Sequence, residues 1–134
     1  MPILNVTLSS APDAAQSARI AATLSQLTEQ ILLKDVALTS VAIAHVAPAH
    51  WFVGGISLER QARISFFLDI LVTDETNTAS QKAAYIAAVF GAMAELLGEL
   101  HEVSYVHVHD ARAAAWGYGG LTQQFRAVKK LLNQ

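Results

Sequence analysis

No cysteine occurs in the 134 residues, which excludes disulfides, thiolate nucleophiles and cysteine-ligated metals. Charge is scarce too. Charged side chains make up 15% of the chain, against about 25% in an average globular protein. Lysine and arginine form no block and the formal net charge is −2, so the electrostatic footprint of a nucleic-acid partner or an anionic membrane is missing. No uncharged apolar run approaches the roughly 18 residues of a spanning helix. The Met-Pro start has neither the basic nor the apolar region of a secretory signal. A soluble, cytoplasmic chain is expected. Hydrophobic residues reach 53%, above the usual 45–50% or so, and this surplus points to buried subunit contacts. The length suits one domain with one core, spanning 1–134.

The chain is organised as a unit that occurs twice. Residues 2–9 (PILNVTLS) alternate as a strand does, and 13–33 place Ile20, Leu24, Leu27 and Ile31 at helical spacing. Ser10 and Asp13 resemble a capping box, with Pro12 expected in the first helical turn. Residues 38–47 (LTSVAIAHVA) read as a second strand, closed by Pro48 and Gly54-Gly55. The pattern returns 65 residues later: a strand at 63–73, a helix at 78–98 opened by the capping box Thr78-x-x-Gln81, and a strand at 103–109. The same shift carries Ile20, Leu24, Leu27 and Ile31 onto Tyr85, Val89, Ala92 and Leu96, and WFVGG (51–55) onto WGYGG (116–120). The repeats are 2–55 and 63–120, followed by an amphipathic tail helix in 121–134.

Two tandem β-α-β units with right-handed crossovers predict an α+β fold, a four-stranded mixed sheet with two helices on one face. The other face carries Ser65, Phe67 and Asp69 on the third strand and Tyr105, His107 and His109 on the last. Such a semi-polar surface suits a symmetric oligomer interface. The tail has Phe125, Val128 and Leu131 on one side and Arg126, Lys129 and Lys130 on the other, so it could close over a pocket or a neighbour.

A chain that begins Met-Pro, runs directly through strand, helix and strand, and closes the unit with an aromatic and Gly-Gly resembles the 4-oxalocrotonate tautomerase family. The segment LTSVAI (38–43) is similar to that family's second strand. The doubled length resembles its fused subgroups, among them malonate semialdehyde decarboxylase, cis-3-chloroacrylic acid dehalogenase and macrophage migration inhibitory factor. The resemblance implies a tautomerase/MIF-like fold, a homotrimer and no cofactor. It also implies a tautomerase or isomerase acting on a small 2-oxo or 2-hydroxydienoic acid, with Pro2 as the general acid/base once Met1 is removed. The chemistry of Pro2 stands beside the resemblance: a terminal proline is a secondary amine, and an α-amino group titrates near 7.7–8.0 or so, lower if burial or nearby cations disfavour its charge. Such an amine can move a proton next to a carbonyl. Alternatively, Pro2 simply begins an edge strand. A decarboxylase or hydratase on the same scaffold, or a non-catalytic trimeric binding module, stays open as well.

The chain also departs from the resemblance. The short tautomerases bind substrate carboxylates with one arginine after the first strand and another in the second; Ala11-Pro12 and Ala42 stand there instead. Gly117 occupies the place of the glutamate of the cis-chloroacrylate dehalogenases, which argues against hydrolytic dehalogenation. Arg63 is placed similarly to the arginine of the decarboxylase group and is the first candidate for the substrate carboxylate, with Arg126, Arg60 and Arg112 behind it. A guanidinium suits this task because its fork matches a carboxylate in two hydrogen bonds. Trp51 stands where the family has a pocket-wall phenylalanine, with core packing as the alternative. Trp116 and Tyr118, in the duplicate turn, are candidates for pocket or interface. His45, His107 and His109 are expected to be buried or interfacial rather than metal ligands, since no cysteine or helical histidine pair accompanies them.

Overall fold

The computed structural model describes residues 2–133. Met1, whose removal the chemistry of Pro2 requires, lies outside the described residues. The first strand, β1 (Ile3–Leu8), leads to helix α1 (Ala14–Leu32) and strand β2 (Ser40–His45). A hairpin of β3 (Phe52–Val53) and β4 (Ile56–Ser57) and the single turn α2 (Leu58–Gln61) follow. The order then repeats with β5 (Phe66–Thr73), α3 (Ala79–Leu97), β6 (Tyr105–Ala111) and a hairpin of β7 (Gly117–Tyr118) and β8 (Leu121–Thr122), and ends in α4 (Gln123–Leu132).

The main sheet has the order β2-β1-β5-β6, parallel within each unit and antiparallel where β1 meets β5. β1 is therefore central, which rules out an edge-strand role for Pro2. Both long helices lie on one face. Leu4, Val6 and Leu8 of β1 and Phe66, Leu68, Ile70 and Val72 of β5 pack with Ile20 and Leu24 of α1 and Tyr85, Val89 and Met93 of α3 in one continuous core. None of the described helices is long and apolar enough to cross a membrane.

The buried row on α1 is Ile20, Leu24, Thr28 and Leu32, with Leu27 and Ile31 only partly buried. On α3 it is Tyr85, Val89, Met93 and Leu97. An apolar-only stripe passes over Thr28, yet its hydroxyl donates to the Leu24 carbonyl at 2.7 Å and accepts from the Tyr85 hydroxyl at 2.9 Å. A threonine satisfied in this way can sit fully inside. Helix starts differ from the expected pattern in one unit. Asp13 itself is the N-cap of α1, accepting from the amides of Ala15 and Gln16 at 3.0 and 3.1 Å. Pro12 therefore precedes the helix and Ser10 has no capping role. The capping box at Thr78 and Gln81 forms with both reciprocal bonds.

The Gly-Gly pairs close the two small hairpins. Gly54 and Gly55 have φ of 63° and 77°, and Gly119 and Gly120 have 60° and 80°. Positive φ at both central residues is what a type I′ turn demands.

Candidate active site

Strand polarity decides what meets Pro2. β5 runs against β1 with Ile3 opposite Leu71, and β6 runs with β5 with Ala111 opposite Thr73. The chain leaving β6 thus emerges at the end of the sheet where β1 begins. There residues 112–123 fold back, held by the Gln123 amide donating to the Trp116 carbonyl at 3.0 Å and the Gln124 amide to Ala113 at 2.9 Å. The result is a cavity of about 290 Å³ lined by Pro2, Ile3, Leu38, Ser40, Trp116, Gly117, Tyr118 and Gln123. Pro2 is buried, and its carbonyl accepts the Ser40 amide at 3.1 Å.

Arg126 belongs to the same end. Its Nη2 donates to the Tyr118 carbonyl at 3.0 Å, and its guanidinium carbon lies 3.9 Å from the centre of the Tyr118 ring. That stacking fixes the guanidinium plane by cation–π attraction. Among the described residues, Trp116 Nε1 and Arg126 Nε are buried donors with no acceptor in the protein. A buried donor left unpaired costs about 1–3 kcal/mol, so two at this end of the sheet, one in the Pro2 cavity and one on the arginine stacked on Tyr118, mark a place suited to an oxygen-rich ligand. At Gly117 a β-carbon would collide with the Leu121 carbonyl, so no glutamate fits there. Arg112 lies in the adjoining loop with its side chain exposed.

Three expected site residues are elsewhere within the protomer. Trp51 lines a cavity of about 560 Å³ with Phe67, Tyr105, Val106 and His107, at the far end of the sheet. Arg63, exposed, lines another with Gln61, His101 and Glu102. Arg60, exposed, sits on α2 nearby. Because Leu8 pairs with Phe66, this end is about 20 Å from Pro2, the length of six strand residues. Of the two tryptophans expected as pocket candidates, antiparallel pairing of the units brings Trp116, of the second repeat, to Pro2 within the protomer and leaves Trp51, of the first, at the other end. It also missed Leu38, Ser40 and Gln123. A signal for Gln123 existed: the shift of 65 sets it against Leu58, and both are buried. A polar residue replacing a core leucine points to a polar site.

His45 is tied by Nδ1 to the Ser10 carbonyl at 2.8 Å, apart from His107 and His109, which are exposed rather than buried in the protomer.

The four-stranded mixed sheet of two β-α-β units is the fold of the tautomerase superfamily in its fused, two-unit form. Solved structures agree. The chain is similar to a native fused 4-OT at 25% identity, covering 93% of this chain and 98% of that one with a TM-score of 0.79. It is similar to a fused 4-OT symmetric trimer at 21% identity, 91% and 96% coverage and a TM-score of 0.79. It is also similar to Pt0534, a protein inactivated by 2-oxo-3-pentynoate, at 18% identity, 92% and 98% coverage and a TM-score of 0.81. No family model and no curated protein matches the chain.

Proposed function

We propose that the chain, once Met1 is removed, is a proline-dependent tautomerase of a small 2-oxo or 2-hydroxydienoic acid. One observation carries the reading: a buried Pro2 shares its cavity with Trp116 and Tyr118, and Arg126 is stacked on that tyrosine. Pro2 supplies the base, taking a proton from the carbon next to the carbonyl and returning it elsewhere on the conjugated system. Burial disfavours the ammonium form and keeps the amine available near neutral pH. Arg126 holds the carboxylate, and the Trp116 indole donates to the oxygen that gains charge as the enol forms. The acid is small because the cavity is.

The chain works as a homotrimer whose contacts use strand edges, the sheet face opposite the helices and α4. Support comes from the fused 4-OT described as a trimer and from the apolar side chains that α4 leaves exposed, Phe125, Val128, Leu131 and Leu132. Light scattering should give about three times 14.4 kDa; a clean monomer defeats the assembly. The two repeats descend from one duplicated unit, in keeping with the recurrence of strand, helix, strand and Gly-Gly hairpin.

The activity test uses processed protein with phenylpyruvate enol and, separately, with 2-oxo-3-pentynoate. Faster ketonisation than buffer, together with alkylation of Pro2, supports the reading. Alkylation without ketonisation points to a decarboxylase or hydratase, and neither to a binding module.

A further inference from the structure

Away from Pro2, the sheet face opposite the helices brings together three side chains with strong lone pairs. Asp69 on β5 is the register partner of His107 on the neighbouring parallel strand β6. His109, two residues further along β6, falls on the same face because side chains alternate. Nδ1 of His107 lies 2.9 Å from Oδ1 of Asp69, and the rings of His107 and His109 are 5.4 Å apart between centres, inclined at 59°. One donor atom from each of the three lies within 4.8 Å of the other two.

We propose that Asp69, His107 and His109 form a divalent metal site of the Zn(II) class. The close approach of Asp69 and His107 is not a well-directed hydrogen bond: Oδ1 is buried and accepts none. An ion held by two atoms sits off the line joining them, so a short but misdirected N···O contact is what two ligands of one ion present. Tetrahedral Zn(II) sets its ligands about 3.4 Å apart, from bond lengths near 2.0–2.2 Å. Small side-chain rotations on a fixed β-sheet bring the three atoms to that spacing. Two imidazoles and one carboxylate select Zn(II) or a neighbouring transition metal over Mg²⁺ or Ca²⁺, which prefer all-oxygen sets. The side chains of His107 and Asp69 are 56% and 29% exposed in the single protomer, so an ion can bind there before the trimer proposed above closes over this face. Three protein ligands leave a position for water, and through His107 the ion borders the apolar cavity of Trp51, Phe67 and Tyr105. The site is independent of the proposed chemistry at Pro2.

Full-length protein titrated with Co(II) should develop the intense visible bands of a low-coordinate ion, saturating at one equivalent per chain and bleached by Zn(II). His107→Ala and the isosteric Asp69→Asn should each weaken binding by more than about tenfold, since even partners of ligands contribute about 10–100-fold. His50→Ala, on the turn before β3, and Pro2→Ala should bind as the parent does. Zn(II) should raise the unfolding midpoint of the parent and leave that of Asp69→Asn unchanged. Bands of a hydrated octahedral ion only, or binding unaltered by both ligand variants, overturns the site.

Discussion

The two ends of the sheet are made from residues 65 positions apart and nonetheless differ in size and in the polar groups they hold. At one end Pro2, Ser40, Trp116 and Gln123 surround a small cavity with a buried secondary amine in prospect and buried donors beside it. At the other, the same shift replaces Pro2 by Phe67, Ser40 by Tyr105, Trp116 by Trp51 and Gln123 by Leu58. The cavity there is larger and walled mainly by aromatic and aliphatic groups. A repeat has two copies of every position, but a chain has only one N-terminus. The amine chemistry can therefore occupy one end only, and the other end is released from it. The helices show a similar exchange: Ile20 and Thr28 of α1 correspond to Tyr85 and Met93 of α3. One buried hydroxyl from each helix forms the pair that joins them.

The largest effect should come from disabling the amine end. Pro2→Ala is expected to lower kcat/KM for enol ketonisation toward the lower end of the roughly 10²–10⁴-fold that a positioned base contributes, since a primary amine keeps the titration but not the fixed geometry. Retention of Met1 should abolish activity by turning the amine into an amide. In the processed parent, activity should rise with pH through a midpoint below about 7.7–8.0, because burial disfavours the cation. Retained Met1 with full activity defeats the mechanism even though the fold stands.

Next, the arginines of the two ends can be set against each other. Arg126→Ala should cost about 1.5–3 kcal/mol of transition-state binding, the range for a hydrogen bond to a charged group. That corresponds to roughly 10–150-fold in kcat/KM. Arg63→Ala should change it less than about twofold if the carboxylate is held within the protomer. Steady-state kinetics on the two variants decides which end holds substrate, and the reverse order would place Arg63 of a neighbouring subunit over Pro2.

The hydroxyl pair between the helices predicts an alkaline limb of stability. Burial pushes the Tyr85 phenol up to about 12, opposed in smaller part by its bond to Thr28. An unfolded phenol titrates near 10 or so. Between about 10 and about 12 the folded chain keeps a proton that the unfolded chain has lost, and stability falls as pH rises through that window. The contribution is complete below pH 10 and amounts to about 3 kcal/mol at its limit. Denaturant unfolding should show it in the parent and not in Tyr85→Phe.

The smallest contrast lies in the helix starts. Asp13→Ala and Thr78→Ala should each cost about 1 kcal/mol, as loss of an N-cap does. Thermal unfolding of both variants tests whether the reciprocal box at Thr78 outweighs the doubly accepting carboxylate of Asp13.

Whereas Ser65, expected on the face opposite the helices, is buried just before β5 begins, the order of the main strands and long helices, the glycine turns, the capping box at Thr78 and most inward strand positions were written in local sequence. Each depends on near neighbours: alternation for strands, steps of three and four for helices, positive φ for Gly-Gly. Pro2 as candidate base was legible for the same reason, since a proline at a free terminus has its chemistry wherever the chain folds. Pairing of β1 with β5 in antiparallel register was not local. It decided that Trp116 rather than Trp51 shares a cavity with Pro2 and that Arg126 lies at that end while Arg63 and Arg60 lie beyond the far end of β1; the parallel pairing of β5 with β6 set Asp69 beside His107. Nothing within a few residues of any of these positions specifies its partner; hydrogen bonds between distant strands do, and these exist only once both units have buried their apolar faces under the same two helices.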